Sequence, residues 1–74
     1  MATMMFDFSR LRGRIVEKYG SCANFAAAMG KTKGWLSGRL RNSTPWLGAD
    51  MCEAAALLDI SPEEIPLYFL TQKF

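Results

Sequence analysis

Twenty residues constrain this chain more than all the others. Between Cys22 and Arg41, two short apolar patterns at helical spacing lie on either side of Gly30. The first predicts a helix over residues 22–29. Ser21 is its N-cap, Phe25, Ala26 and Met29 are its inward face, and Gly30 follows its end. The second predicts a helix over about 32–41, with Thr32 as N-cap and Leu36 and Leu40, one turn apart, as its inward pair. Helices joined this tightly cross at a steep angle. Such a crossing needs a small residue where they meet, a turn residue tolerant of positive φ, and apolar anchors in both helices. Ala26 is the small residue and Gly30 the turn residue, while Phe25, Met29, Leu36 and Leu40 are the anchors. Residues 22–41 therefore have the spacing of a helix-turn-helix.

The flanking sequence predicts three more helices and no strand. Leu11, Ile15 and Val16 make an apolar stripe over residues 9–18, capped by Ser9 or Asp7 and stopped by Gly20. Turn residues Asn42, Ser43, Thr44 and Pro45 interrupt the pattern. A fourth helix is expected over 48–58, burying Met51, Ala54, Ala55 and Leu58. Ser61-Pro62-Glu63-Glu64 combines an N-cap serine, a proline at the first helical position and a capping-box glutamate. Pro66 lacks the N–H that would bond the carbonyl of Pro62, so this last helix should be a single turn that restarts or kinks at Pro66. The tail beyond it carries Tyr68, Phe69, Leu70 and Phe74, much apolar surface for a chain end.

With 74 residues, of which 50% are hydrophobic, the chain has room for one domain and enough apolar residues for a core. A chain of this size buries only about 60% of its unfolded surface, which leaves stability marginal. Residues 1–7 are expected to form a flexible start and 8–74 the domain. No apolar run reaches the roughly 18 residues that cross a bilayer, and nothing resembles a secretory leader, so a cytoplasmic location is expected. Histidine is absent and the two cysteines, Cys22 and Cys52, lie thirty positions apart. This removes the commonest general base and gives no clustered metal ligands, so neither an enzyme nor a cofactor is expected.

The net charge is only +2, but it is unevenly spread. From Ser9 to Ala49, eight basic residues oppose the single acid Glu17; from Asp50 onward, five acids oppose Lys73. A basic first half beside an acidic second half gives the molecule one end that attracts polyanions. Within the motif the cations are Lys31, Lys33, Arg39 and Arg41, with no acid between residues 18 and 49. Phosphate binding needs such a cluster. On the first helix, Arg10, Arg14 and Lys18 recur every four residues and make one side cationic.

The stretch Asn24-Phe25-Ala26-Ala27-Ala28-Met29-Gly30, followed by Leu36-Ser37 and Leu40, resembles the lambda-repressor-like (Cro/Xre) helix-turn-helix superfamily. The opening from Phe8-Ser9-Arg10-Leu11 to Lys18-Tyr19-Gly20 is similar to that of short phage proteins of Cro-repressor type. So is the ending from Ala55-Ala56-Leu57-Leu58 through Ser61-Pro62-Glu63-Glu64-Ile65 to Tyr68-Phe69-Leu70-Thr71-Gln72-Lys73. The resemblance implies an all-α fold, a compact bundle of about five short helices, with sequence-specific operator binding and dimerisation. Two positions depart from the superfamily pattern. Cys22 stands where glutamine commonly touches phosphate or base, and Lys31 stands where an apolar core residue usually follows the turn glycine.

With Leu36 and Leu40 inward, a step of 100° per residue puts Gly34, Ser37, Gly38 and Arg41 on the outward side. Thr32 and Lys33 lie at the end usually presented to base edges. Arg41 has the donors to read guanine, and Ser37 can bond base or phosphate. Lys31, Lys33 and Arg39 are expected on phosphate, and the resemblance alone places Cys22, at the glutamine position of the preceding helix, among the DNA-binding residues. Gly34 and Gly38 cost roughly 1 kcal/mol each inside a helix. Either they are simply tolerated, or their bare strip lets the backbone approach DNA or another surface closely, and Trp35 beside them is expected to pack against Trp46 rather than stand as an exposed anchor. The expected partners are double-stranded DNA with paired operator half-sites and a second copy of the chain held through the apolar tail. A competing reading is a protein-interaction module on the same scaffold, of antirepressor or antitoxin type, supported by how few long side chains the outward face carries.

Overall fold

The computed structural model describes residues 5–72. Residues 1–4 of the expected flexible start, and Lys73 and Phe74 of the apolar tail, lie outside them. Five α-helices follow one another: α1 (Ser9–Tyr19), α2 (Cys22–Ala28), α3 (Lys33–Leu40), α4 (Gly48–Leu57) and α5 (Ile65–Phe69). A single 3-10 turn, Pro62–Glu64, leads into α5. The molecule is the all-helical bundle expected of the sequence, with no named strand among the described residues. One isolated antiparallel bridge joins Phe6 to Gln72.

Local chemistry sets the helix starts. Asp7 accepts a bond from the first N–H of α1, that of Ser9, at 2.9 Å. The hydroxyls of Ser21 and Thr32 accept from the N–H groups of Asn24 and Trp35, both at 3.1 Å. Each satisfies a donor that a helix leaves unpaired in its first turn. Ahead of the 3-10 turn, the carboxylate of Glu64 accepts from both the N–H and the hydroxyl of Ser61. Pro66 follows the 3-10 turn, so the break falls where a missing N–H demanded it.

The ends of α2, α3 and α4 share one design. After α2, Gly30 takes φ 73°, with its N–H on Ala27 O and the N–H of Lys31 on Ala26 O. After α3, Asn42 takes φ 64° and the N–H of Ser43 returns to Gly38 O at 2.9 Å. After α4, Asp59 takes φ 55° and the N–H of Ile60 returns to Ala55 O at 2.9 Å. All three are Schellman closures through a left-handed residue. Only the first uses glycine.

The core is continuous across the helices. Leu11 and Ile15 of α1, Phe25, Ala26 and Met29 around α2, Leu36 and Leu40 of α3, and Ala54, Ala55 and Leu58 around α4 are all buried. Phe8, Ile60 and Phe69 complete it. Two expectations need correcting. Val16 is 53% exposed, one position beyond the buried Leu11–Ile15 row. Phe6 and Asp7 fall within the stretch expected to be flexible, yet Asp7 N bonds Thr71 O at 2.8 Å and both main-chain groups of Phe6 bond the Asn42 side chain at 2.9 Å.

Candidate nucleic-acid interface

The helix pair over 22–41 leaves most of the expected binding residues exposed or half-buried. α2 packs on both α1 and α3, so the orientation of α3 is fixed by buried Phe25, Ala26, Met29, Leu36 and Leu40. Facing solvent are Lys31, Thr32, Lys33, Gly34 and Arg41, with Ser37 and Gly38 half-buried beside them. Lys31, whose backbone closes the Schellman motif, sends its ammonium over the Trp35 ring, 5.4 Å from the centroid. A lysine after the turn glycine therefore costs the core nothing, because the side chain leaves along the surface. Cys22 occupies the first position of α2, half-buried against the core, and both cysteines are free.

Gly34 and Gly38 have ordinary helical backbone here, and each has room for a methyl group. A Cβ on Gly34 would lie 3.9 Å from the Thr32 hydroxyl oxygen, and one on Gly38 would lie 3.5 Å from that of Thr44. Neither glycine is required by the fold of the isolated chain.

Arg39 is the expected phosphate contact that the structure places elsewhere. Its guanidinium carbon lies 3.9 Å from the centre of the Trp35 ring, and its Nη1 donates to Trp35 O at 3.3 Å. Its Nε stands 4.0 Å from the carboxylate of Asp50, and the side chain is only 13% exposed. Stacking on an indole and pairing with a carboxylate use the flat face and the charge that a phosphate would otherwise engage. Trp35 itself packs edge-on to Trp46, with ring centres 5.9 Å apart, as its apolar bulk suggested.

The cationic side of α1 is also partly committed. Arg14 donates to the carbonyls of Leu58 and Asp59 at 2.9 and 3.2 Å, and Tyr19 donates to that of Leu57 at 3.1 Å. Lys18 pairs with the Asp59 carboxylate, whose pKa this hydrogen bond and the lysine charge hold below the ordinary value of 3.8. These groups close the C-terminus of α4, where the helix dipole favours cations. Spacing on α1 alone could not reveal this, because the partners lie some forty residues away. The exposed arginines of α1 are Arg10 and Arg12, and Arg12 reaches the Leu40 carbonyl at 3.4 Å, at the end of α3.

Among the described residues, no group of three or more His, Cys, Asp or Glu is placed to hold a metal ion, and no helix is long and apolar enough to cross a membrane.

Comparison with known proteins adds a family and a structural neighbour. No curated protein matches the chain. Among solved structures, the chain is similar to the solution structure of the modulator of repression (MOR) of the temperate bacteriophage TP901-1 from Lactococcus lactis. The two share 38% sequence identity over 86% of each chain, with a TM-score of 0.79. A family model described as "Protein of unknown function (DUF739)" matches residues 4–72. That match spans nearly the whole chain, and the protein belongs to this family.

Proposed function

We propose that the protein is a phage or prophage regulator of Cro-repressor type, which binds DNA sequence-specifically with α3 in the major groove. The observation that carries this reading is the outward face of α3. Lys31, Thr32, Lys33, Gly34 and Arg41 are exposed along α3 and at its two ends, with α2 packed behind the helix, in a region where cations outnumber acids eight to one. Likeness to a phage modulator of repression supports a role in phage regulation. In this reading Lys33, Ser37 and Arg41 face base edges and Lys31 lies on phosphate, with Cys22 at the start of α2 nearby. The partners are operator half-sites and a second copy of the chain. Catalysis and cofactors play no part, and the site of action is the cytoplasm of a bacterial host.

A second reading draws on two observations. Half of the outward face is bare, at Gly34, Ser37 and Gly38, and Arg39 is turned away from it. A smooth basic face of this kind also suits a protein partner, and the neighbour modulates repression according to its own description. Selection of bound sequences from a random DNA pool separates the two. Enrichment of a defined half-site supports the first reading, and no enrichment at low salt favours the second.

A further inference from the structure

At the end of α3 lies a cleft of about 360 Å³ whose walls come from two distant parts of the chain. The start of α1 contributes Ser9 and Arg12, and the end of α3 contributes Leu40, Arg41 and Asn42. Arg12 Nη2 donates to Leu40 O at 3.4 Å, so its guanidinium shares this cleft with Arg41. The one acid in the walls is Asp7, and its Oδ1 is turned to the N–H and hydroxyl of Ser9 at 2.9 and 2.7 Å. Two arginines against one acid leave the cleft cationic. Among the described residues, Arg14, Lys18 and Arg39 pair with carboxylates, whereas Arg10, Arg12, Lys31, Lys33 and Arg41 are exposed and do not.

The C-terminal end of a helix ordinarily repels an anion, because its last carbonyls carry partial negative charge. The main chain after α3 offers nothing to offset this. The N–H groups of Arg41, Asn42, Ser43 and Thr44 all return to carbonyls of α3. An anion here must be held by side chains. Arg12 covers one of the terminal carbonyls and keeps donors to spare, since a guanidinium carries five. The eight residues of α3 make about 12 Å of helix, and the major groove is about 12 Å wide. A helix seated there has its ends near the two walls of phosphate, and Lys31 and Lys33 serve one end. We propose that Arg12 serves the other, as a phosphate contact from outside the helix-turn-helix that grips the DNA backbone beside the bases Arg41 faces. This contact rests on the reading of α3 as the DNA-contacting helix, and it brings α1 into the same interface.

The test is the salt dependence of binding to a duplex carrying the selected half-site, read by fluorescence anisotropy. Arg12→Gln removes the charge and keeps an N–H donor for Leu40 O. It should lower the slope of log K against log salt by about 1. The affinity lost between about 50 and 200 mM salt should then be roughly fourfold smaller. Arg12→Lys should keep the slope, and neither variant should change the ranking of half-site sequences, because a phosphate contact carries no sequence. Arg10→Ala, at an exposed arginine of α1 outside the cleft walls, should leave the slope as it is. An unchanged slope for Arg12→Gln overturns the proposal. An equal loss for Arg10→Ala overturns it too, because the effect would then be one of overall charge. Lys31→Ala in the same series tells the two levels apart. If it lowers the slope and Arg12→Gln does not, Arg12 alone is wrongly assigned. If binding ignores salt altogether, α3 does not hold DNA through phosphates, and this contact falls with it.

Discussion

At Asn42 the main chain takes φ 64° to end α3, and the side chain then holds both polar groups of the Phe6 main chain at 2.9 Å. One residue thus closes α3 and pins Phe6 to its end. Asn42→Ala removes two partly buried bonds and places a Cβ-bearing residue without local compensation in a left-handed conformation. It should lower stability by about 2 kcal/mol, read as a lower urea midpoint with an unchanged slope. Asn42→Gly keeps the backbone and should lose less. Asp59 plays the corresponding part after α4, and its lowered pKa sets a pH dependence. With the folded pKa below 3.8, the stabilisation is complete above that value and is lost as the pH falls through the folded pKa. Asp59→Asn tolerates the same backbone and should flatten the acid limb of a pH–stability curve, as should Lys18→Met.

The elements were legible in the sequence to different degrees, and the differences have physical causes. Helices α2 and α3 could be read nearly to the residue because their signals are local: Ser21 and Thr32 accept from N–H groups three residues on, and Gly30 turns the chain just past α2. The Pro66 break was legible for the same reason. The left-handed endings at Asn42 and Asp59 were not, because both residues also serve ordinary turns and only tertiary contacts decide between the two uses. Arg14 and Lys18 read as part of a cationic side of α1, yet close α4 instead, and Arg39 read as a phosphate contact, yet lies on Trp35. Long-range partners of this kind leave no trace in spacing. Within α3 the two glycines give a test at this scale. Gly34→Ala fits the available space and should stabilise the protein by about 1 kcal/mol, read as a higher melting temperature. If the bare strip exists for close approach to DNA, the same substitution should weaken DNA binding. Gain of stability with loss of affinity would identify Gly34 as a functional rather than a tolerated glycine.

Over the whole molecule, charge and hydrophobicity are sorted to different places. Cations crowd the segment that contains α1 to α3, and acids the segment from α4 onward. Residues 65–72 carry no charge, and within them Leu67 on α5 and Leu70 just past its end are 44% and 45% exposed. A neutral apolar surface far along the chain from the basic one suits self-association, the arrangement that paired half-sites need. Sedimentation of the free protein and of its DNA complex should show two copies on a full operator. Leu67→Glu should leave one copy bound to a half-site, and a single copy on the full operator without any substitution would remove the dimer from the account.

The central claim is that α3 presents a phosphate- and base-contacting face to DNA, and the salt dependence of binding tests it most directly. For a duplex carrying the selected site, log K should fall linearly with log salt, by roughly 0.9 for each phosphate neutralised. Lys31→Ala should reduce that slope by about 1, and Arg41→Ala should cost discrimination between sites more than slope. A binding constant that does not change with salt, or that Lys33→Ala and Arg41→Ala both leave unaltered on every duplex tried, would contradict it.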